Sequence, residues 1–115
     1  MVVLLVENDG FINMMARDEL QREGYEVVSA YNADEAIEIL ECRDDICLFS
    51  TDIDMPGSID GLKLAAVVRD RWPSIHVIIT TGKRRPPDHL MPKGSAFIDK
   101  PYPPVTLLET IKSFA

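Results

Sequence analysis

The sequence predicts an α/β fold in which helices cover both faces of a five-stranded parallel sheet. Five short apolar runs, rich in Val, Ile and Phe, alternate with stretches of helical periodicity. The first, third and fourth runs are almost uniformly apolar, as expected for interior strands of a parallel sheet. With 115 residues the chain has room for one domain, 1–115, that can bury a core of its own.

The predicted strands are the apolar runs Val2–Val6, Tyr25–Ala30, Ile46–Thr51, Ile75–Thr80 and Ser95–Ile98. The connection after the fourth strand, GKRRPPDHLMPKG, contains three prolines and has little periodicity. It predicts at most a single turn at Asp88–Met91, so the fourth helix of the fold, which would lie in this connection, should be short or absent. We therefore expect that the protein does not dimerise through a long helix in this connection.

Four helices are predicted from apolar stripes and from end signals. Gly24 should end the first helix, Asn32 with Glu35 resembles a capping box, and Asp60 can cap the third helix. Pro103 and Pro104 suit the first turn of the last helix. The predicted inward faces are Ile12, Met15, Ala16 and Leu20; Ala36, Ile37 and Leu40; Leu64, Val67, Val68 and Trp72; and Leu107, Leu108, Ile111 and Phe114.

The composition narrows the classes of function. A net charge of -7 argues against binding of nucleic acid or anionic membranes through this chain, because both need a basic surface. Cys42 and Cys47 are too few and too close for a disulfide framework, and we expect buried, reduced thiols. The run Val2–Val6 is too short for a signal peptide or a membrane span. A cytoplasmic location is therefore expected.

Polar residues follow four of the predicted strands at their carboxyl ends, the edge where ligands bind in parallel sheets. They are Glu7 and Asn8, Asp52, Thr81 and Lys100. These residue types suit phosphoryl chemistry. Carboxylate and carbonyl oxygens bind Mg²⁺, and a carboxylate nucleophile forms an acyl phosphate. A lysine ammonium and a threonine hydroxyl can hold phosphoryl oxygens.

Four motifs together resemble those of response-regulator receiver domains, and the similarity runs from Val2 to the end of the chain. The motifs are VLLVEND, TDIDMPGSIDG, ITTG and FIDKP. The resemblance implies a flavodoxin-like doubly wound sheet of order 2-1-3-4-5, which would bring Glu7, Asn8 and Asp52 together. It also implies that the peptide bond before Pro101 is cis.

By this resemblance, the phosphoryl group is expected on Asp52. Thr81 matches the switch hydroxyl, the Gly82 amide matches a phosphoryl contact, and Lys100 matches the ammonium that pairs with the phosphate. Phe97 matches the aromatic residue that turns inward on activation. The implied donor is a phosphohistidine on a sensor histidine kinase or a histidine phosphotransfer protein.

The resemblance also implies a Mg²⁺ site formed by Glu7 through water, the residue at position 8, Asp52 and the backbone carbonyl of Asp54. The second acidic position of the family is Asn8 here, so one negative charge is missing and Mg²⁺ binding should be weak. Asp9 could compensate, although capping the first helix is the simpler prediction. The Asp54 carboxylate could alter metal affinity or attack by water.

Two other functions are compatible with parts of the sequence. Asn8 suits a degenerate receiver that binds a partner without phosphate, whereas the presence of Asp52, Thr81 and Lys100 argues against it. Asp52 and Asp54 also fit the DxD motif of haloacid-dehalogenase-like phosphatases. There the motif normally follows the first strand, and an acidic pair follows a later one. The main prediction is a signalling receiver and not an enzyme in the ordinary sense.

Overall fold

The computed structural model describes residues 1–54, 60–83 and 85–114. Its strands are β1 (Val2–Val6), β2 (Glu26–Ala30), β3 (Ile46–Asp52), β4 (His76–Thr81) and β5 (Ala96–Asp99). Its α-helices are α1 (Gly10–Arg22), α2 (Ala33–Cys42), α3 (Gly61–Arg71) and α4 (Pro104–Lys112), and Asp88–Leu90 forms a single 3-10 turn. The predicted strands are confirmed to within one residue at their ends, and the four predicted helices are observed.

The five strands form one parallel sheet in the order β2-β1-β3-β4-β5. This order confirms the predicted doubly wound fold. It puts β1 and β3 side by side in the centre, and their crossovers leave on opposite faces of the sheet. The carboxyl ends of β1 and β3 are therefore neighbours at one edge, with β4 and β5 following.

The core has one layer on each side of the sheet, because successive strand residues point to opposite faces. Alternate strand residues pack against α2 and α3 on one face and against α1 and α4 on the other. The first layer includes Leu4, Val6, Phe49, Val77 and Ile79, and the second includes Val3, Leu5, Leu48, Ile78 and Ile98. This packing fixes the strand ends that carry the polar residues.

The predicted helix ends are observed. Glu35 N–H donates to Asn32 Oδ1 at 2.8 Å, and the Glu35 carboxylate accepts from the Tyr31 N–H at 2.8 Å. Asp60 Oδ1 accepts from the Lys63 N–H at 2.8 Å. Gly24 has φ +92°, a left-handed conformation that favours glycine after a helix.

Two burial predictions are wrong. Met15 does not lie on the inward face of α1. It is 41% exposed, whereas Asn13 is fully buried. Cys42 and Cys47 are free but exposed. Cys42 ends α2, and Cys47 is the extra residue of an irregularity in β3, since Val2 and Val3 pair with Ile46 and Leu48. A bulged residue leaves the regular alternation of the strand, which explains the exposure of Cys47.

The connection between β4 and β5 confirms the expectation that its helix is short or absent. Within its described residues, 82–83 and 85–94, the only helical turn is Asp88–Leu90. No helix in the described part of the chain has the length and apolar character that a membrane span needs.

Candidate functional site

The predicted site residues meet at the carboxyl edge of the sheet. Glu7 follows β1, Asp52 ends β3, Thr81 ends β4 and Lys100 follows β5. Glu7, Asp52 and Thr81 are buried, at 3%, 5% and 2% exposure. A buried carboxylate needs a compensating partner, so the cation beside these groups determines what the site can do.

That cation is Lys100. Its Nζ lies 2.9 Å from Glu7 Oε1 and 3.1 Å from Asp52 Oδ2, and only 14% of its side chain is exposed. Burial lowers the pKa of Lys100, but its hydrogen bonds to Glu7 and Asp52, and their charges, raise the pKa above its ordinary value. Lys100 is therefore a firmly charged ammonium shared by two buried carboxylates.

The chain around Lys100 is tied to the neighbouring strand. Its N–H donates to the Thr81 carbonyl at 2.9 Å, and the Lys100–Pro101 peptide bond is cis, as the resemblance implied. Gly82 lies beside it, since a Cβ on Gly82 would lie 3.8 Å from the Lys100 Cβ. Burial, and then the charges of Glu7 and Asp52, raise the pKa of Tyr102, so its hydroxyl stays neutral beside the site.

Asn13 supports the loop after β1, a role that the sequence did not predict. Its Nδ2 donates to the Glu7 carbonyl at 3.2 Å, and its Oδ1 accepts from the Ser29 hydroxyl at 2.9 Å. A signal was present: the predicted inward stripe of α1 borders an asparagine, and a polar residue there needs partners. Asn13 thus links β1, α1 and β2 behind Glu7.

The loop after β1 shows which role Asp9 has, metal ligand or helix cap. Asp9 Oδ1 accepts from the Phe11 and Ile12 N–H groups, so Asp9 caps α1. Its own N–H donates to Glu7 Oε2 at 3.0 Å, and Asn8 is exposed. Within 1–54, 60–83 and 85–114, no three His, Cys, Asp or Glu side chains form a group suited to a metal ion. A metal here would therefore need amide, carbonyl or water oxygens beside the carboxylates.

Asp54 contacts both the Asp52 carboxylate and the end of β4. Its N–H lies 3.3 Å from Asp52 Oδ1, and its Oδ2 accepts from the Thr81 hydroxyl at 2.8 Å. The Lys83 N–H donates to Thr81 Oγ1 at 3.1 Å, and Lys83 Nζ lies 3.7 Å from Asp54 Oδ1. Lys83, in the connection between β4 and β5, therefore contacts the edge of the site.

Gly61 lets α3 approach the strand end that carries Asp52. Its N–H donates to the Ile53 carbonyl at 3.0 Å. A Cβ at this position would overlap the Asp52 carbonyl oxygen and lie 2.7 Å from its carbonyl carbon and 2.8 Å from Ile53 Cα. Only glycine fits this contact without a backbone shift. The sequence showed Gly61 but gave no signal of the close approach.

Phe97 is half-buried and packs against the core layer under α2 and α3. The Arg85 guanidinium carbon lies 5.1 Å from its ring centroid, and Arg85 also pairs with Asp88 at 2.8 Å. The structure holds one position of this ring, so inward movement stays a prediction. Arg84, between Lys83 and Arg85, lies outside the described residues.

The family model for the response regulator receiver domain matches residues 3–112 of this chain. The chain belongs to this family. Receivers are the signalling domains of two-component response regulators and not classical enzymes, which removes support from the phosphatase alternative. The response regulator FleR from Pseudomonas aeruginosa is 32% identical over 116 residues, 98% of this chain. The chain spans only 24% of FleR.

Solved receivers have the same fold. The receiver domain of the hybrid histidine kinase CckA is 31% identical, with a TM-score of 0.83 over 98% of this chain and 97% of that one. TrrA from Thermotoga maritima, solved with Mg²⁺ and BeF, is 27% identical, with a TM-score of 0.82 over 99% and 98%. The complex of TrrA with the histidine kinase ThkA matches at 28% identity and 0.85, over 97% and 96%.

Proposed function

We propose that this receiver accepts a phosphoryl group on Asp52 from a phosphohistidine donor and signals by a change of conformation. The supporting observation is the position of the Lys100 ammonium, within 3.1 Å of Asp52 and 2.9 Å of Glu7. A carboxylate oxygen of Asp52 attacks phosphorus, the P–N bond breaks, and the electron pair returns to the imidazole. Lys100 then stays beside the new acyl phosphate and balances its charge.

Thr81 and the Gly82 amide complete the proposed phosphoryl site. Thr81 ends β4 next to β3, and its hydroxyl can donate one hydrogen bond to a phosphoryl oxygen. Movement of Thr81 would change the space beside Phe97 on β5, because β4 and β5 are paired. The phosphoryl group thereby stabilises one of two arrangements, and a downstream partner binds that arrangement better.

The donor set also fits Mg²⁺, held by Glu7 through water, Asn8, Asp52 and the backbone carbonyl of Asp54. Glu7 and Asp52 share the single ammonium of Lys100, so this buried group keeps a net negative charge that a cation would balance. When bound, Mg²⁺ offsets the repulsion between the carboxylates and an anionic donor. TrrA was solved with Mg²⁺ and BeF, which supports this assignment. Asn8 supplies a neutral oxygen, so affinity should be low.

A histidine kinase or a histidine phosphotransfer protein is the proposed partner, as ThkA is for TrrA. The start of α1, three residues after Glu7, exposes Phe11, Met14 and Met15 at 66%, 41% and 41%. An exposed apolar patch on a small protein is typical of a contact surface. The patch follows directly on the loop that carries Glu7, so a donor bound there would be close to the site. Such signalling proteins act in the cytoplasm, which is the location we propose.

The direct test is intact-mass spectrometry after incubation with acetyl phosphate and Mg²⁺. We expect the wild-type protein to gain one phosphoryl group and Asp52→Asn to gain none, because the amide is no nucleophile. Asp52→Asn keeps the size of the side chain, and circular dichroism should show it folded. An equal adduct on Asp52→Asn would disprove the assignment of the acceptor. Partner binding that is the same with and without phosphate would favour the degenerate binding module.

Asn8→Asp should strengthen Mg²⁺ binding about tenfold, equivalent to ~1.4 kcal/mol, because it restores a carboxylate at the metal site. Mg²⁺ affinity can be measured by calorimetry. The phosphorylation rate with acetyl phosphate at limiting Mg²⁺ should rise in parallel. Asp18→Asn, on the exposed face of α1, is the control for a general charge effect. No change in Mg²⁺ affinity would show that position 8 is not a metal ligand.

A further inference from the structure

The Thr81 hydroxyl is already engaged in this structure. It donates to Asp54 Oδ2 at 2.8 Å and accepts from the Lys83 N–H at 3.1 Å. A hydroxyl carries one proton and donates one hydrogen bond at a time. While this proton points to Asp54, it cannot also point to a phosphoryl group on Asp52.

We propose that the Asp54 side chain is an autoinhibitory latch that holds Thr81 in the unphosphorylated arrangement. This inference rests on the proposed function of Asp52 and Thr81. It assigns to Asp54 a role distinct from that of its backbone carbonyl, which is a proposed metal ligand. The carboxylate competes with the phosphoryl group for a single donor, so it sets how strongly the phosphoryl group must bind to switch the domain.

The geometry makes Asp54 a link between the acceptor and the switch. Its N–H contacts Asp52 Oδ1 at 3.3 Å, and its side chain reaches Thr81 on the next strand. Asp52 and Thr81 are buried, whereas the Asp54 side chain is 36% exposed. Asp54 can therefore release Thr81 and turn toward water without leaving a buried charge unpaired, which suits a reversible latch.

Lys83 holds the latch from the solvent side. Its backbone N–H fixes the acceptor side of the Thr81 hydroxyl, and its Nζ lies 3.7 Å from Asp54 Oδ1. The Lys83 side chain is 79% exposed, so its ion pair adds little. The hydrogen bond from Thr81 to a charged carboxylate is the main contribution, because bonds to charged groups are the stronger kind.

The latch predicts that Asp54→Ala binds a phosphoryl mimic more tightly. The probe is beryllofluoride with saturating Mg²⁺, titrated against the full chain and followed by NMR of the Thr81 methyl group. We expect about a tenfold gain in affinity over wild type, equivalent to ~1.4 kcal/mol. Asp54→Asn keeps an acceptor oxygen for Thr81, so its gain should be smaller. Asp18→Ala removes an exposed carboxylate elsewhere and should leave the affinity unchanged.

A second pair of variants separates the latch from simple electrostatics. Removing a carboxylate near an anionic ligand could raise affinity without any role for Thr81. In a Thr81→Val background, the latch predicts that Asp54→Ala no longer changes beryllofluoride affinity. The same gain in both backgrounds would overturn the latch and leave the proposed function standing. If wild type binds no beryllofluoride and gains no phosphoryl group, the proposed function fails, and the latch fails with it.

Discussion

Lys100→Met should lower the free energy of unfolding by about 3–5 kcal/mol at neutral pH, the usual cost of removing one partner from a buried ion pair. The ammonium is the cation within hydrogen-bond distance of both Glu7 and Asp52, which are nearly inaccessible to solvent. Without it, two buried carboxylates face each other uncompensated. Methionine has a similar length and fills the space, so the loss reflects charge rather than a cavity.

The dependence on pH and Mg²⁺ identifies the cause of this loss. The pKa of Lys100 is raised in the folded protein, so its stabilising contribution is complete below the ordinary lysine pKa. That contribution is lost as the pH rises through the raised value, so wild type and Lys100→Met should converge in alkali. Mg²⁺ should stabilise the variant, because a bound cation offsets the repulsion between the two carboxylates.

Urea unfolding followed by circular dichroism, at several pH values with and without Mg²⁺, measures these effects. The control is Lys112→Met, which removes an exposed lysine that pairs with Glu23 at 3.3 Å. It should change stability by less than about 1 kcal/mol. Equal losses in the two variants would show that burial of the Glu7 and Asp52 carboxylates does not depend on Lys100.

The sequence predicted the parts of this molecule that depend on local pattern. Apolar runs of strand length located the sheet, and the caps at Asn32 and Asp60 were visible because their partners lie three residues away. The meeting of Glu7, Asp52, Thr81 and Lys100 followed from the family motifs and the strand order. These features are specified by short segments and by a topology with few alternatives.

Features that depend on side-chain geometry could not be predicted in this way. The hydrogen bond from Thr81 to Asp54 spans 27 positions, and nothing in either segment specifies which rotamer the carboxylate adopts. The exposure of Cys47 follows from an irregular strand register. Met15 was wrongly predicted to face inward, because periodicity locates the centre of an apolar stripe but does not define how wide the stripe is. The errors at Cys47 and Met15 concern details of side-chain packing that the periodicity of the sequence does not specify.

Gly61→Ala should be destabilising by about 3 kcal/mol or more, at or beyond the upper end of overpacking effects. The added methyl group would overlap the Asp52 carbonyl oxygen, and its nearest neighbours are all backbone atoms of Asp52 and Ile53, so no flexible side chain can move aside. Relief requires α3 to move away from β3. Such a shift also moves Asp52, because its carbonyl is the group in contact, so phosphorylation should slow together with the loss of stability.

Gly10→Ala is the matched control, because a Cβ there would meet no atom within 4 Å. It lies in the first turn of α1, where alanine favours the helix, so stability should be unchanged or slightly higher. Urea unfolding compares the two alanine variants, and acetyl phosphate labelling measures Asp52 in each. A Gly61→Ala protein with wild-type stability would mean that α3 can shift freely. If such a protein were also labelled at the wild-type rate, the approach of α3 to β3 would play no part in positioning Asp52.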